Sequence, residues 1–220
     1  MDDMKTEKKV LLFDLDGTLV NTEQGILNGV RYALNTLGAD YSGQDLTEFI
    51  GPPLLGSFER VLSNPGDAKR AVDLYREQYD TGGWRDCAVY NGIPEALEML
   101  FRRGFRLATA TAKPEFFARR ILEHFKLDAF FTQIVGVLID GPRETKEDVI
   151  RDAMAMCKAK EQECIMIGDR RYDLIGAKTM GLDAIGVLWG FGSLKELSEH
   201  PHIYLAQTPG DLCEFLTNKA

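Results

Sequence analysis

The sequence predicts an α/β fold with a doubly wound, mainly parallel sheet and a small all-helical domain inserted after the first strand. Short apolar segments that suit strands buried on both faces alternate with segments of helical pattern along most of the 220 residues. One long segment near the start carries helical patterns only. Strands that alternate with helices are typical of a parallel sheet covered by helices on both faces.

Each predicted strand is a short, unbroken run of apolar residues, as expected for a strand with both faces buried. The candidates are Val10–Phe13 and residues 105–110, 164–167 and 184–187, with a weaker one at residues 133–137.

Helices are predicted between these strands. Residues 117–125 and 149–156 each place apolar side chains on one helical face. A third helix is predicted over residues 93–103, because Pro94 lies near its start and Gly104 follows its end.

Residues 20–87 break the alternation of strands and helices. An apolar stripe at positions 26, 30, 33, 34 and 37 predicts a helix that ends at Gly38, and proline-containing turns separate the helical stretches that follow. We therefore predict a helical domain at residues 20–87, inserted into a core of residues 1–19 and 88–220. The first few residues are predicted to be disordered.

Composition and charge exclude several classes of partner. Asp and Glu number 34 against 26 Lys and Arg, so the formal net charge is −8, and neither a nucleic-acid polymer nor an anionic membrane is an expected partner. The apolar runs are too short to span a bilayer, and no signal peptide is expected. The four cysteines show no zinc-site spacing. We expect a cytoplasmic protein that is a monomer or a weak homodimer.

The most informative segment is Asp14-Leu15-Asp16-Gly17-Thr18-Leu19. Two carboxylates stand two residues apart where the first strand ends, and ligands of open α/β sheets bind beyond the carboxyl ends of the strands. Carboxylates this close repel one another unless a cation neutralises them, and a divalent cation is the usual solution. A charged turn explains one such aspartate, but not the whole hexapeptide.

A second predicted strand, at residues 164–167, is followed by an acidic residue, Asp169. Asp173 follows four residues later, so one turn of helix places both carboxylates on the same side. Taken alone, Asp173 also suits a plain first-turn acid of a helix.

Two weaker signals accompany the acids. One strand ends in Thr111, followed by Ala112 and Lys113, although strand propensity alone would explain a threonine here. Lys146 lies at the start of a predicted helix, where most lysines are simply solvated. Thr109 is a rival to Thr111 on the same strand face.

In order along the chain, these segments resemble the four signatures of the haloacid dehalogenase superfamily. The hexapeptide at Asp14 resembles the first, the segment at Thr111 the second, Lys146 the third and the segment at Asp169 the fourth. The resemblance implies a magnesium-dependent phosphatase that hydrolyses a small phosphate monoester. It further implies a catalytic core at residues 1–19 and 88–220 and a helical cap at 20–87.

The resemblance also assigns roles to individual residues. Asp14 would attack phosphorus and form an aspartyl phosphate, and Asp16 would protonate the leaving group and then activate water. Thr111, the backbone N–H of Ala112 and Lys146 would bind phosphate, with Lys113 as a rival to Lys146. Many relatives carry Ser or Asn at position 112, so a side-chain contact is lost there.

The metal ligands implied for Mg2+ are Asp14, the backbone carbonyl of Asp16, and Asp169. Asp173 would bind the ion through water or orient its ligands.

Three further segments resemble the phosphoglycolate phosphatase-like or 5′-nucleotidase-like subgroup, namely residues 49–54, 90–94 and 187–192. Trp189 and Phe191 in the last segment are interpreted as packing residues. Two alternatives stay open, a phosphomutase of the same superfamily and a non-catalytic regulatory protein that has kept the fold.

Overall fold

The computed structural model describes residues 9–139 and 141–218. The predicted disorder of the first few residues lies outside these ranges. The chain divides into two compact units, Met1–Val20 with Val89–Ala220 and Asn21–Ala88. They are called the sheet unit and the helical unit below.

The strands, in chain order, are β1 (Val10–Phe13), β2 (Val20–Asn21), β3 (Ala88–Val89), β4 (Arg106–Thr109), β5 (Thr111–Pro114), β6 (Phe131–Gln133), β7 (Gly136–Val137), β8 (Cys164–Gly168), β9 (Asp183–Val187) and β10 (Tyr204–Ala206). The helices are α1 (Glu23–Thr36), α2 (Leu54–Val61), α3 (Ala68–Thr81), α4 (Ile93–Arg102), α5 (Glu115–His124), α6 (Lys146–Met156), α7 (Arg171–Thr179), α8 (Leu194–Ser198) and α9 (Pro209–Asn218).

A six-stranded parallel sheet forms the centre of the sheet unit. Its strand order is β10-β9-β8-β1-β4-β6, with β1 paired to β8 on one side and to β4 on the other. Helices precede or follow each of these strands, so the predicted doubly wound parallel α/β fold is confirmed. The first predicted strand, Val10–Phe13, lies at the middle of the sheet.

Both faces of β1 are buried, as its unbroken apolar sequence predicts. Successive side chains of a strand point to opposite faces. Val10 and Leu12 therefore lie on one face, in a core cluster that also contains Val149 and Ile150 of α6 and Leu174 of α7. Leu11 and Phe13 lie on the other face, where they are also almost completely inaccessible to solvent. Parallel sheets need this double cover.

The weaker strand prediction, residues 133–137, is wrong in its position. The strand in the main sheet is β6, at Phe131–Gln133, and the chain then leaves the sheet before β7 pairs with β5. The hydroxyl of Thr109 explains the break: it donates to the carbonyl of Val135 at 3.0 Å and accepts from the Val135 N–H at 2.7 Å. Val135 thus bonds to the side chain of Thr109 and to the Thr111 N–H, which donates to its carbonyl at 3.2 Å.

The edge strand β10 has no counterpart among the predictions. It spans only Tyr204–Ala206, which is too short for an apolar pattern to stand out.

The helical unit contains α1, α2 and α3, with 3-10 turns at Leu46–Phe49, Pro65–Asp67 and Gly83–Arg85. The predicted stripe of α1 faces the interior of this unit, and its central residues Val30, Ala33 and Leu34 are fully buried. Gly29 allows α1 and α3 to approach closely, because a Cβ atom there would lie 2.8 Å from the ring of Tyr75.

Within the described ranges, no helix combines the length and the apolar character that crossing a membrane requires.

Candidate active site

The carboxyl ends of three neighbouring strands bring the sequence-predicted acids to one edge of the sheet. Phe13 of β1 is level with Thr109 of β4 and with Ile167 of β8. Asp14 follows β1 directly, and its N–H donates to the Ile167 carbonyl at 2.9 Å. Asp169 follows β8 directly. Parallel strands end at the same edge, so residues far apart in the sequence meet there.

Asp14, Asp169 and Asp173 form a buried acidic cluster. Each offers one carboxylate oxygen, and these three oxygens lie within 4.8 Å of one another. Their residues are 8%, 0% and 1% exposed. Carboxylate oxygens are the ligands that Mg2+ prefers, so residues of this cluster could hold such an ion.

Lys146 is the cation that contacts this cluster in the described part of the chain. Its Nζ lies 3.1 Å from Asp14 Oδ1 and 2.7 Å from Asp173 Oδ1, and it donates to the Ala110 carbonyl at 3.0 Å. Burial alone lowers the pKa of Lys146, but the carboxylates of Asp14 and Asp173 outweigh burial and raise it. The ammonium group therefore stays charged.

Among the described residues, the three carboxylates of the cluster thus lie near the ammonium group of Lys146. Burial, followed by the nearby Asp173 and Asp14 carboxylates, raises the pKa of Asp169 well above its usual range. Burial also raises the pKa of Asp173, with Lys146 acting in the opposite direction. Hard oxygen ligands with uncompensated negative charge are the environment that a divalent cation prefers. The residues present therefore fit Mg2+.

Helix starts hold Lys146 and Asp173 in place. Thr145 and Asp148 form a reciprocal capping box at the beginning of α6, where Lys146 is the first residue. Such caps stabilise a helix by about 1 kcal/mol. Asp173, in the first turn of α7, accepts from the Arg170 N–H through Oδ2 at 3.0 Å, which leaves Oδ1 directed at Lys146.

Lys113 contacts a different acid. Its Nζ lies 3.0 Å from both carboxylate oxygens of Asp16. Lys113 is buried and Asp16 is partly exposed. The two lysines that the sequence offers as rivals therefore occupy separate positions, Lys146 beside Asp14 and Lys113 beside Asp16. Sequence patterns carry no signal for this pairing, since 97 residues separate its members.

The threonines of the β4–β5 segment also differ in their surroundings. Thr109 uses its hydroxyl twice on the backbone of Val135, as described above. The hydroxyl of Thr111 accepts from the Lys113 N–H at 3.2 Å, so its own hydrogen can be donated to a ligand. Ala112, between Thr111 and Lys113, is exposed at the surface. Of the two threonines, Thr111 is the one with a donor available.

Sequence reasoning missed the groups that surround Asp169. Its Oδ1 accepts from the Thr18 hydroxyl at 3.2 Å, and its Oδ2 accepts from the Phe191 N–H at 2.8 Å. The indole N–H of Trp189 donates to the Thr18 carbonyl at 2.9 Å. The available signal was the glycine on each side of Phe191, which indicates close backbone packing.

Comparison with known proteins identifies the family of the chain. A model of the haloacid dehalogenase-like hydrolase family matches residues 11–187. The chain is 44% identical over 192 residues to the 5′-nucleotidase of Pseudomonas aeruginosa. The aligned region covers 86% of this chain and 87% of that protein. It is 39% identical over 185 residues to the tyrosine-protein kinase PtkA of Mycobacterium tuberculosis. That aligned region covers 84% of this chain but only 63% of PtkA.

A solved structure of a predicted phosphatase from Clostridium acetobutylicum is also similar. It matches with a TM-score of 0.89 at 42% identity, over 96% of this chain and 98% of that one. The family match covers most of the sequence, including the segments that carry Asp14, Lys146 and Asp169. The chain therefore belongs to the haloacid dehalogenase-like hydrolase family.

Proposed function

We propose that this protein is a magnesium-dependent phosphatase that hydrolyses a small phosphate monoester through an aspartyl phosphate on Asp14. One observation carries the proposal: the Lys146 ammonium group bridges Asp14 and Asp173 inside a buried acidic cluster. A carboxylate can attack a phosphate dianion only if nearby positive charge reduces their repulsion. Lys146 supplies part of that charge, and Mg2+ supplies the rest.

In the first half of the reaction, an oxygen of Asp14 forms a bond to phosphorus as the ester P–O bond breaks. Asp16 donates a proton to the departing alkoxide. The Thr111 hydroxyl, the Ala112 N–H and Lys146 hold the phosphate oxygens. In the second half, Asp16 takes a proton from water, which attacks phosphorus and releases inorganic phosphate together with free Asp14.

Lys113 orients Asp16 in this scheme. Its ammonium group contacts both oxygens of the carboxylate, so it restricts the rotation of the acid that must face the leaving group. A proton donor has to stand within hydrogen-bond reach of the reacting oxygen.

The metal-binding role is assigned to Asp14, to Asp169 and to the backbone carbonyl of Asp16. Asp173 is placed one step further out, because its Oδ1 faces the Lys146 ammonium group at 2.7 Å, and that positive charge opposes a second cation at the same oxygen. Mg2+ usually retains several waters, so three protein ligands are sufficient.

The two parts of the chain have separate roles in this proposal. Residues 1–19 and 88–220 form the catalytic core, and residues 20–87 form a cap that excludes water and selects the substrate. The composition of the helical unit supports this division, because it contains none of the acids and lysines assigned to catalysis.

Substrate identity rests on the relatives. One relative is named a 5′-nucleotidase, so nucleoside monophosphates are the first class to test, followed by phosphoglycolate and sugar phosphates. Ranking these compounds by kcat/KM identifies the substrate better than any single turnover number, because discrimination depends on that ratio.

A second candidate is transfer of the phosphoryl group to an acceptor other than water. The relative named tyrosine-protein kinase PtkA motivates it, and a phosphomutase is another form of it. Product analysis separates the two functions: inorganic phosphate indicates hydrolysis, and a phosphorylated acceptor indicates transfer. A non-catalytic role is disfavoured because Asp14, Asp16, Lys146 and Asp169 are all present.

Replacing Asp14 by asparagine is expected to reduce phosphate release to background, because an amide is a poor nucleophile. The measurement is inorganic phosphate liberated from p-nitrophenyl phosphate in the presence of Mg2+. Asp73→Asn, which changes an exposed acid of α3, is the matched control and is expected to behave like the wild type. Near-normal turnover by Asp14→Asn would remove the nucleophile from the proposal.

Removing divalent cations is expected to stop phosphate release, and added Mg2+ is expected to restore it. The reason is the uncompensated negative charge of the acidic cluster, which would repel the substrate. The measurement compares initial rates in excess chelator before and after Mg2+ is returned. Undiminished rates in chelator would exclude the metal from the reaction.

The two lysines are expected to respond differently to truncation. Lys146→Ala should lower kcat/KM by about 100-fold or more, because it removes a charge that stabilises the transferring phosphoryl group. Lys113→Ala should cause the smaller loss, since Lys113 acts through Asp16. Thermal melting of both variants separates lost stability from lost catalysis. A larger loss in Lys113→Ala would reverse the assignment of the phosphate-binding lysine.

A further inference from the structure

The loop that follows β9 reaches the acidic cluster. We call residues 189–192 the clamp loop. Two hydrogen bonds tie it to the site: the Phe191 N–H donates to Asp169 Oδ2 at 2.8 Å, and the Trp189 indole N–H donates to the Thr18 carbonyl at 2.9 Å. Thr18 in turn donates its hydroxyl to Asp169 Oδ1 at 3.2 Å. Both oxygens of one carboxylate are thereby engaged.

The glycines of the clamp loop allow this close approach. A Cβ atom at Gly190 would lie 2.6 Å from Asp169 Oδ2 and would overlap the Gly17 carbonyl. A Cβ atom at Gly192 would overlap the Asp169 carbonyl. Gly17 itself has a φ of +85°, and a side chain there would collide with the same carboxylate. Three glycines thus surround one aspartate.

Asp169 is fully buried, so its orientation depends on the protein groups that contact it. Hydrogen bonds to a charged carboxylate are about twice as strong as those between neutral groups. With one donor on each oxygen, the carboxylate has little freedom to rotate. The remaining lone pairs can then be directed towards Asp14 and Asp173, whose oxygens lie within 4.8 Å.

We propose that the clamp loop is a positioning element that holds the Asp169 carboxylate in the orientation required for binding Mg2+. Phe191 acts through its backbone N–H, and Trp189 acts by fixing the loop to the turn that contains Thr18. The aromatic residues of this segment therefore contribute to the site through N–H groups. This inference rests on the proposed role of Asp169 as a metal ligand.

Phe191→Pro tests the proposal most sharply, because it deletes the donating N–H. Phe191→Ala removes the same aromatic ring but keeps the N–H, so it is the matched control. Calorimetric titration with Mg2+ is expected to show affinity about 10-fold to 100-fold weaker for Phe191→Pro than for Phe191→Ala, the usual effect of losing a group that orients a metal ligand. Equal affinity in two folded variants would overturn the proposal.

A second pair of variants decides the matter if Phe191→Pro does not fold. Trp189→Phe keeps an aromatic ring but loses the bond to the Thr18 carbonyl. Tyr204→Phe also loses one side-chain donor in the sheet unit, from the bond between Tyr204 and Asp211. Mg2+ affinity should fall several-fold in Trp189→Phe relative to Tyr204→Phe at matched melting temperatures. Equal affinities would show that the loop serves stability only.

The wild-type titration separates this inference from the proposed function. If the wild type binds Mg2+ and releases phosphate, but the paired variants do not differ in affinity, the clamp loop alone has been misassigned. If the wild type shows no heat of Mg2+ binding and works equally well in chelator, the metal-dependent mechanism and the clamp are both overturned.

Discussion

Repulsion among three buried carboxylates is the constraint on which the rest of the site depends. The carboxylate oxygens of Asp14, Asp169 and Asp173 lie within 4.8 Å of one another, and among the described residues the Lys146 ammonium group contacts two of these acids. Burying like charges is costly unless they are neutralised. In the proposed mechanism, the arrangement that opposes folding is also the source of affinity for a cation, and it favours the approach of an anionic substrate only once that cation is bound.

The fold solves this problem with rigid parts. β1 and β8 are adjacent parallel strands, so Asp14 and Asp169 emerge side by side, and the first turns of α6 and α7 supply Lys146 and Asp173. The connection between β9 and α8 contacts Asp169 through the backbone N–H of Phe191. Each of these groups is thus attached to a strand or helix that is itself anchored by buried apolar side chains. Preorganised charge of this kind needs no reorganisation when the phosphoryl group is transferred.

The local sequence was sufficient to predict features that depend on neighbouring residues alone, such as a strand with both faces buried. The unbroken apolar run of β1 predicted a strand buried on both faces, and the structure confirms it. The weaker strand prediction was wrong in its position because the hydroxyl of Thr109 forms hydrogen bonds with both the N–H and the carbonyl of Val135. The pairing of Lys113 with Asp16 and the bond from Phe191 to Asp169 had no periodic signal. Both depend on which loops the tertiary fold brings together.

The most direct test of the central claim is to trap the phosphorylated enzyme during turnover. Rapid quenching followed by borohydride reduction converts an acyl phosphate of aspartate into homoserine, and peptide mass spectrometry then locates the modified residue. The account predicts homoserine at position 14 in samples quenched with substrate and Mg2+, and none without substrate. Modification at another residue, or an unmodified Asp14 in enzyme that is actively releasing phosphate, would contradict it.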